Sequence, residues 1–376
     1  MGTLRDKIQE IEFRFLGSYT AVGRLGRRLV LIQWHHSDKF LSIQSCCYLN
    51  NTLLKKILFF MRIITYNLFA RPKSKLGGQV TLTGEDGQWE RLYRIPKLLQ
   101  KYKPDILCVQ ELFCPSGFVC LQNYSKLFFD RVRSKLGLTY KTNVPGSLLR
   151  PVNSGLCIFS RWPITNHSFV LFPARSREWV MSKGCQYAVI QKKASPPIHI
   201  FNLHLHAGQT EEANQIREAQ MKITNDFIRS KHIPPTAPVS LVGDFNQHKL
   251  PNTAFDTFLL LRYTNHPREI FTYDSRRNEL IGKDGGAGRC VLTYYENLLH
   301  RTPLSLKPCP CCIRPSNFDK IFIRNLRGRA RILPLETRKP FKIEWSSSGI
   351  APRSVLTRQV SDHYPVLCTT SRNHNF

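Results

Sequence analysis

Acidic residues are scarce in this 376-residue chain. It has 26 Asp and Glu against 55 Lys and Arg, a formal net charge of +29. An excess of that size favours contact with something anionic, a nucleic acid or a membrane surface, but charge alone does not choose between them. Long apolar runs are missing too. The longest, around Leu29–Trp34 and Ile57–Ile64, fall well short of the ~20 residues that cross a bilayer. The first of them lacks a small-residue cleavage site, so no secretory signal is evident. Asp6 stands where an N-myristoylation motif calls for Ser or Thr. Internal repeats and low-complexity tracts are absent as well. What remains, 42% hydrophobic and 22% charged residues, suits a soluble globule of one large domain or two ordinary ones and argues against a disordered or fibrous chain.

Cysteine is plentiful, at 12 residues, but its distribution is not that of a disulfide framework. Cys108, Cys157 and Cys368 lie inside apolar runs, where a free thiol acts as a small hydrophobe, and a reducing compartment is expected. Cys309-Pro-Cys-Cys312 lacks a second ligand pair at zinc-finger spacing and reads as a tight turn.

Residues 1–60 show no sustained period and read as an N-terminal extension, disordered or outside the native product, with a membrane-touching or regulatory segment as the alternative. From residue 61 strands and helices alternate. Strands are predicted at 61–67, 105–110, 153–160, 185–192, 198–204, 237–242, 318–323 and 364–369, and helices at 87–102, 118–136 and 210–230. That alternation predicts an α/β domain over 61–370, with helices packed outside sheet and a short tail at 371–376. Residues 274–317 read as a loop-like insertion.

Acids, amides and histidines sit at the ends of these strands: Asn67, Glu111, His204, Asp244 with Asn246, Asp319, and Asp362-His363. Each alone has an ordinary explanation. Glu111 suits a helix cap, Asn67 or Gly243-Asp244 a turn, and an isolated His204 or His206 a satisfied core position. Together they are hard to explain as solvated surface, because an α/β sheet gathers its strand ends at one edge. The chemistry they suit is phosphodiester hydrolysis. Magnesium takes oxygen ligands and one or two carboxylates, for which Glu111 is the candidate. A histidine can remove a proton from water if a carboxylate fixes its tautomer, and amides can donate to phosphate oxygens.

The order Asn67, Gln110-Glu111, Asn202-Leu-His204, Gly243-Asp-Phe-Asn246, Asp319-x-Ile321 and Ser361-Asp-His363 resembles the endonuclease/exonuclease/phosphatase superfamily over about residues 61–370. Within it the chain is most similar to neutral sphingomyelinases. Ser154-Gly-Leu-Cys-Ile-Phe-Ser-Arg161-Trp-Pro-Ile, Ser182-Lys183-Gly184-Cys-Gln-Tyr187-Ala, Phe271-Thr-Tyr-Asp274 with Asn278, and Ser361-Asp-His-Tyr-Pro-Val366 all resemble their motifs. His206 departs from the glutamine usual there.

The resemblance implies a DNase I-like four-layer α/β sandwich, two packed mixed sheets with outer helices. It also implies a magnesium-dependent phospholipase C-type enzyme, with manganese as the alternative ion, that cleaves sphingomyelin to ceramide and phosphocholine. On that analogy Glu111 binds the metal with Asn67 beside it, and Asp362 helps to hold the metal site. His363 is the base, oriented by Asp319. Asp244 and Asn246 position water and phosphate, His204 donates to the phosphate or assists the leaving group, and Lys183 joins Asn67, Asn246 and His204 in binding substrate. The expected partner is a phospholipid surface or sphingomyelin, and the expected state a monomer, in the cytoplasm or at the membrane periphery with export left open. The rival is a DNase I-like or DNA-repair endonuclease, which the +29 charge also suits. A basic adaptor on a dead hydrolase fold ranks last, because every expected catalytic position is filled. The alternating arginines Arg324, Arg327, Arg329 and Arg331 could serve lipid or DNA.

Overall fold

The computed structural model describes residues 14–17, 20–25, 28–35, 40–46, 60–70, 75–76, 80–81, 87–114, 124–173, 176–193, 195–250, 254–255, 258–260, 271–274, 278, 280, 315–345 and 353–372. Two compact units divide the chain, Met1–Phe59 and Phe60–Phe376. In the first, strands β1 (Arg14–Gly17), β2 (Thr20–Leu25), β3 (Arg28–His35) and β4 (Phe40–Cys46) form a four-stranded antiparallel meander.

The second unit holds two six-stranded sheets. Strand β5 (Phe60–Ala70) leads into helix α1 (Gln88–Leu99), strand β6 (Ile106–Leu112), helix α2 (Tyr124–Leu136), and strands β7 (Tyr140–Lys141) and β8 (Cys157–Ser160). The chain continues through β9 (Ile164–Leu171), β10 (Gly184–Ile190), β11 (Ile198–His204), helix α3 (Glu211–Arg229), β12 (Val239–Asp244) and β13 (Leu259–Leu260). It ends with β14 (Asp319–Arg324), β15 (Leu326–Ile332), the antiparallel pair β16 (Glu336–Trp345) and β17 (Arg353–Gln359), and β18 (Val366–Arg372). One sheet runs β15-β18-β5-β6-β8-β7, the other β9-β10-β11-β12-β14-β13. Each is mixed, with one parallel pair near its centre, β5 with β6 and β11 with β12.

Period-two patterning builds the layers. Ile64, Tyr66, Leu107 and Val109 meet Leu92, Ile95, Phe128 and Val132 of α1 and α2 in one apolar core. Tyr187, Phe201, Leu203 and Leu241 meet Met221 and Ile228 of α3 in another. The alternate residues of the same strands turn toward the opposite sheet, and polar side chains stand among them. Gln110 Nε2 donates to Asn202 Oδ1 at 2.7 Å, and Asn202 Nδ2 to Val109 O at 2.9 Å, stitching the sheets together. Buried polar groups are tolerated when partnered in this way. The architecture is a mixed α/β sandwich of two sheets with outer helices.

Three differences from the predicted elements have physical causes. Residues 153–156 are not strand, because β8 begins only at Cys157. Strand β9 went unpredicted because it is a half-exposed edge strand, Ile-Thr-Asn-His-Ser-Phe-Val-Leu, with no apolar alternation. The arginine run is another edge strand, β15: Arg327, Arg329 and Arg331 are exposed while Leu326, Ala330 and Ile332 are buried. The helix predicted over 118–136 is described from Tyr124 on, and most of the 274–317 insertion, with its Cys-Pro segment, lies outside the described residues.

Candidate active site

Strand register delivers the site. His204, Asp244 and Asp319 are aligned across β11, β12 and β14, and Asn67 is paired with Gln110 across β5 and β6. Asn67, His204, Asp244 and Asp319 occupy the alternation that faces the other sheet, the last three at an end of their strands and Asn67 three residues before the end of β5. Glu111 follows Gln110, and its φ of 57° is left-handed, a conformation that non-glycine residues rarely adopt. Gly155 runs past this kink, and a Cβ there would stand 2.8 Å from the Phe113 ring and 3.0 Å from Glu111 Cα. Gly243 has φ 146°, and its Cβ would meet Leu203 O at 2.0 Å. The Gly-Asp-Phe-Asn turn therefore needs a glycine where β12 passes β11.

The side chains converge. Asn67 Nδ2 donates to Glu111 Oε1 and to Asp244 Oδ2, both at 2.9 Å. His204 Nε2 lies 3.6 Å from Asp244 Oδ2 and 3.8 Å from Glu111 Oε1. His363 Nδ1 bonds Asp319 Oδ2 at 2.7 Å, and its Nε2 is 3.9 Å from Asp244 Oδ2. That ring thus has one nitrogen held by a carboxylate and the other turned toward the shared centre. Tyr273 and Phe318 flank it, with ring centroids 5.3 Å and 6.2 Å away.

Among the described residues, two groups of side chains could hold a metal ion, Glu111 with His204 and Asp244, and Asp244 with Asp319 and His363. The donors fit a hard cation. Three carboxylates are gathered on a buried patch, and no cysteine belongs to either group. Oxygen donors and surplus negative charge suit magnesium or manganese better than zinc in a structural site.

Electrostatics separates the two histidines. Burial, helped by the nearby Lys183, pushes His204 down to about 3, so its imidazole is neutral. Burial also opposes charging of His363, but Asp319, Asp362 and Asp244 outweigh it and raise its pKa well above the usual histidine value. Glu111 is raised by burial, against the hydrogen bond from Asn67 and the charge of Lys183.

Most of the residues expected from the sequence lie at or beside this centre. Asn246, left-handed at φ 50°, donates its backbone N–H to Asp244 Oδ1 at 2.8 Å and its Nδ2 to Leu205 O at 3.1 Å. Lys183 stands behind the centre, its Nζ donating to Glu178 Oε1 at 2.9 Å and Leu205 O at 3.0 Å. Two residues stand apart from the metal-capable groups. Asn67 Oδ1 accepts from Phe69 N at 3.0 Å, and its Nδ2 is the atom turned to Glu111 and Asp244. Asp362 belongs to neither metal-capable group; Ser361 Oγ is 3.4 Å from its Oδ1, and its charge acts on the adjacent His363.

Sequence reasoning missed Glu178. It pairs with Lys183 and lies 2.6 Å from His206 Nδ1, so the unusual His206 has a carboxylate partner. Burial alone would raise its pKa, but the Lys183 ammonium and His206 hold it well below the carboxylate range. Glu178 sits in a short 3₁₀ turn, Ser176–Val180, with no strand end to mark it. Arg91 was missed as well. Fully buried, it donates to Leu68 O, Phe69 O and Val360 O, fastening α1 to the backbone beside Asn67 and Ser361. The Thr-Tyr-Asp…Asn segment has a supporting role. Thr272 Oγ1 accepts from Asp319 N at 3.2 Å, and Asn278 Nδ2 donates to Ser361 O at 2.7 Å.

Comparison with known proteins gives the fold and the family. Sphingomyelinase C 2 of Leptospira interrogans serogroup Icterohaemorrhagiae serovar Lai (strain 56601) is 25% identical over 329 residues, 81% of this chain and 45% of the relative. Sphingomyelinase C of Bacillus cereus is 33% identical over 175 residues, 44% of this chain and 52% of the relative. The chain thus spans about half the length of these curated relatives. Among solved structures, a double mutant of beta toxin from Staphylococcus aureus with bound magnesium ions superposes with a TM-score of 0.61 at 18% identity, covering 83% of this chain and 99% of that one. The model of the Endonuclease/Exonuclease/phosphatase family matches residues 65–363, and the chain belongs to that family.

Proposed function

We propose that the chain is a magnesium-dependent phosphodiesterase of phospholipase C type, with manganese as a substitute ion, that hydrolyses sphingomyelin to ceramide and phosphocholine. One observation carries the reading: Glu111, Asp244, His204 and the His363–Asp319 pair meet on one buried patch in a chain whose relatives include sphingomyelinases. Glu111 and Asp244 would hold the cation, with Asp362 adding negative charge nearby. When bound, the cation neutralises charge on the phosphate oxygens and polarises phosphorus for attack.

The protein's own groups do the rest. His363 Nε2 takes a proton from water while the water oxygen bonds to phosphorus. Asp319 fixes the tautomer of His363 and steadies the imidazolium. The bond between phosphorus and the ceramide oxygen breaks, that oxygen takes a proton from solvent, and the proton held by His363 returns to solvent. Neutral His204 donates to a phosphate oxygen, Asn67 Nδ2 holds the Glu111 and Asp244 carboxylates together beside the phosphate, and Asn246 fixes the carboxylate of Asp244 through its backbone N–H. Lys183 contributes positive charge from behind Glu111.

The test is release of phosphocholine from sphingomyelin vesicles in the presence of magnesium. The expected result is turnover by the wild type, stopped by EDTA and restored by magnesium. Inactivity on sphingomyelin with rapid nicking of plasmid DNA would transfer the assignment to the nuclease reading that the +29 charge also suits.

A further inference from the structure

Two consecutive leucines, Leu148 and Leu149, are 91% and 90% exposed, and Trp179 is 53% exposed. Single exposed apolar residues are ordinary, but adjacent leucines with their side chains almost wholly in water are not. The segment that carries them is held firmly. Arg150 is buried, with Nη1 donating to Met181 O at 2.9 Å and Nη2 to Phe172 O at 2.7 Å. Ser147 N donates to Ser182 Oγ at 3.1 Å, and Arg150 N to Ser147 O at 3.1 Å. Val152 N donates to Val180 O, and Ser182 N to Val152 O. The two leucines therefore project from a braced turn, fixed on both sides to the stretch that contains Trp179.

Both segments lead directly to the catalytic centre. After Val152, Asn153 Oδ1 accepts from Cys114 N, and Gly155 O accepts from Leu112 N beside Glu111. Next to Trp179 is Glu178, bound to Lys183 and His206. An apolar tip beside a phosphodiester site has an obvious occupant if the substrate sits in a bilayer. Tryptophan favours the membrane interface, and leucine side chains favour the acyl region just beneath it. Charge agrees: Arg175 and Arg177 closely precede Trp179 in sequence within a chain of net charge +29, as a surface containing anionic lipid would require.

We infer that Leu148, Leu149 and Trp179 form a bilayer-docking tip that enters the interface of an anionic phospholipid membrane and holds the catalytic mouth against it. The inference rests on the lipid phosphodiesterase reading and adds the surface that delivers the substrate. None of the three residues belongs to the catalytic machinery, so docking and chemistry can be separated.

The experiment uses the full chain and its Leu148→Ser/Leu149→Ser and Trp179→Ala variants. Each is sedimented with vesicles of sphingomyelin, phosphatidylcholine and phosphatidylserine, and assayed in solution on bis(4-nitrophenyl) phosphate. The expected result is vesicle affinity reduced about tenfold or more in each variant, with turnover of the soluble diester within about twofold of wild type. Quenching of tryptophan fluorescence by brominated lipid should fall in Trp179→Phe. Wild-type vesicle affinity in the variants would overturn the inference, as would parallel loss of soluble-diester turnover or a defect confined to DNA binding. The two readings fail differently. A wild type that cleaves sphingomyelin while its tip variants dock normally sinks the tip alone; one that docks through the tip but leaves sphingomyelin intact sinks the proposed substrate alone.

Discussion

His363 and His204 stand on either side of the same carboxylate, yet their environments drive them apart. One imidazole is bonded to Asp319 and favoured as a cation, while the other is buried neutral near Lys183. Opposed environments of this kind separate a base from a donor. Replacing Asp319 by Asn removes the bonded charge that raises His363, so less alkali is needed to neutralise the ring. The acid limb of the kcat/KM profile should move to lower pH, while the rate falls about 10²–10⁴-fold because the tautomer is no longer fixed. An acid limb that stayed in place would mean that the limb reports another group.

Glu178 gives a stability prediction whose sign follows from its lowered pKa. A carboxyl held low in the folded state stabilises the protein above the ordinary carboxyl pKa, and that contribution is lost as pH falls toward the folded value. Denaturant melts should show wild-type stability dropping with acid below about pH 5. Glu178→Gln should lose about 3 kcal/mol at neutral pH by leaving Lys183 without its carboxylate, and its acid dependence should be flatter.

At the scale of elements, the strands that build the site were legible and those that border the sheets were not. Asn67, Gln110, Asn202, Asp244 and Asp319 are polar residues in otherwise apolar runs, buried on both faces, and that contradiction marks them as converging. Strands β9 and β15 have one half-exposed face and polar sequences, so no hydrophobic pattern announces them. Glu178 was illegible for a related reason: its partners Lys183 and His206 are brought to it by tertiary packing, not by a repeat along the chain. The amide orientation of Asn67 depends on where the backbone N–H of Phe69 points, which sequence does not state.

The glycine at 243 is an element-scale test. Gly243→Ala would force a methyl group against Leu203 O, separating β12 from β11 at the row that carries His204 and Asp244. The expected cost is about 2–4 kcal/mol by denaturant melts, with turnover falling beyond what the loss of stability explains. A neutral substitution would mean that the crossing is looser than the backbone geometry indicates.

At the scale of the whole molecule, the chain divides at residue 59, immediately before the strand that begins the site. The strands and helices that place the site all lie after that point. A chain beginning at Met61 should fold with the same cooperative melt and retain soluble-diester turnover within about twofold, since terminal segments outside a core are dispensable. Insolubility or inactivity would make residues 1–59 part of the working unit. The net charge, which alone was ambiguous between lipid and nucleic acid, is displayed in part as the exposed face of β15, with Arg327, Arg329 and Arg331. Charge of that kind accelerates encounter with either anion; the braced leucines of the tip favour the lipid.

The central claim is that residues from distant strands serve one cation and one scissile phosphodiester bond. The most direct test is magnesium-dependent phosphocholine release from sphingomyelin by wild type, Glu111→Gln and His363→Ala, each checked for an unchanged melt. Both variants should lose at least about 10³-fold in kcat, and Glu111→Gln should also require far more magnesium. Two folded variants that turn over sphingomyelin at the wild-type rate would contradict the account.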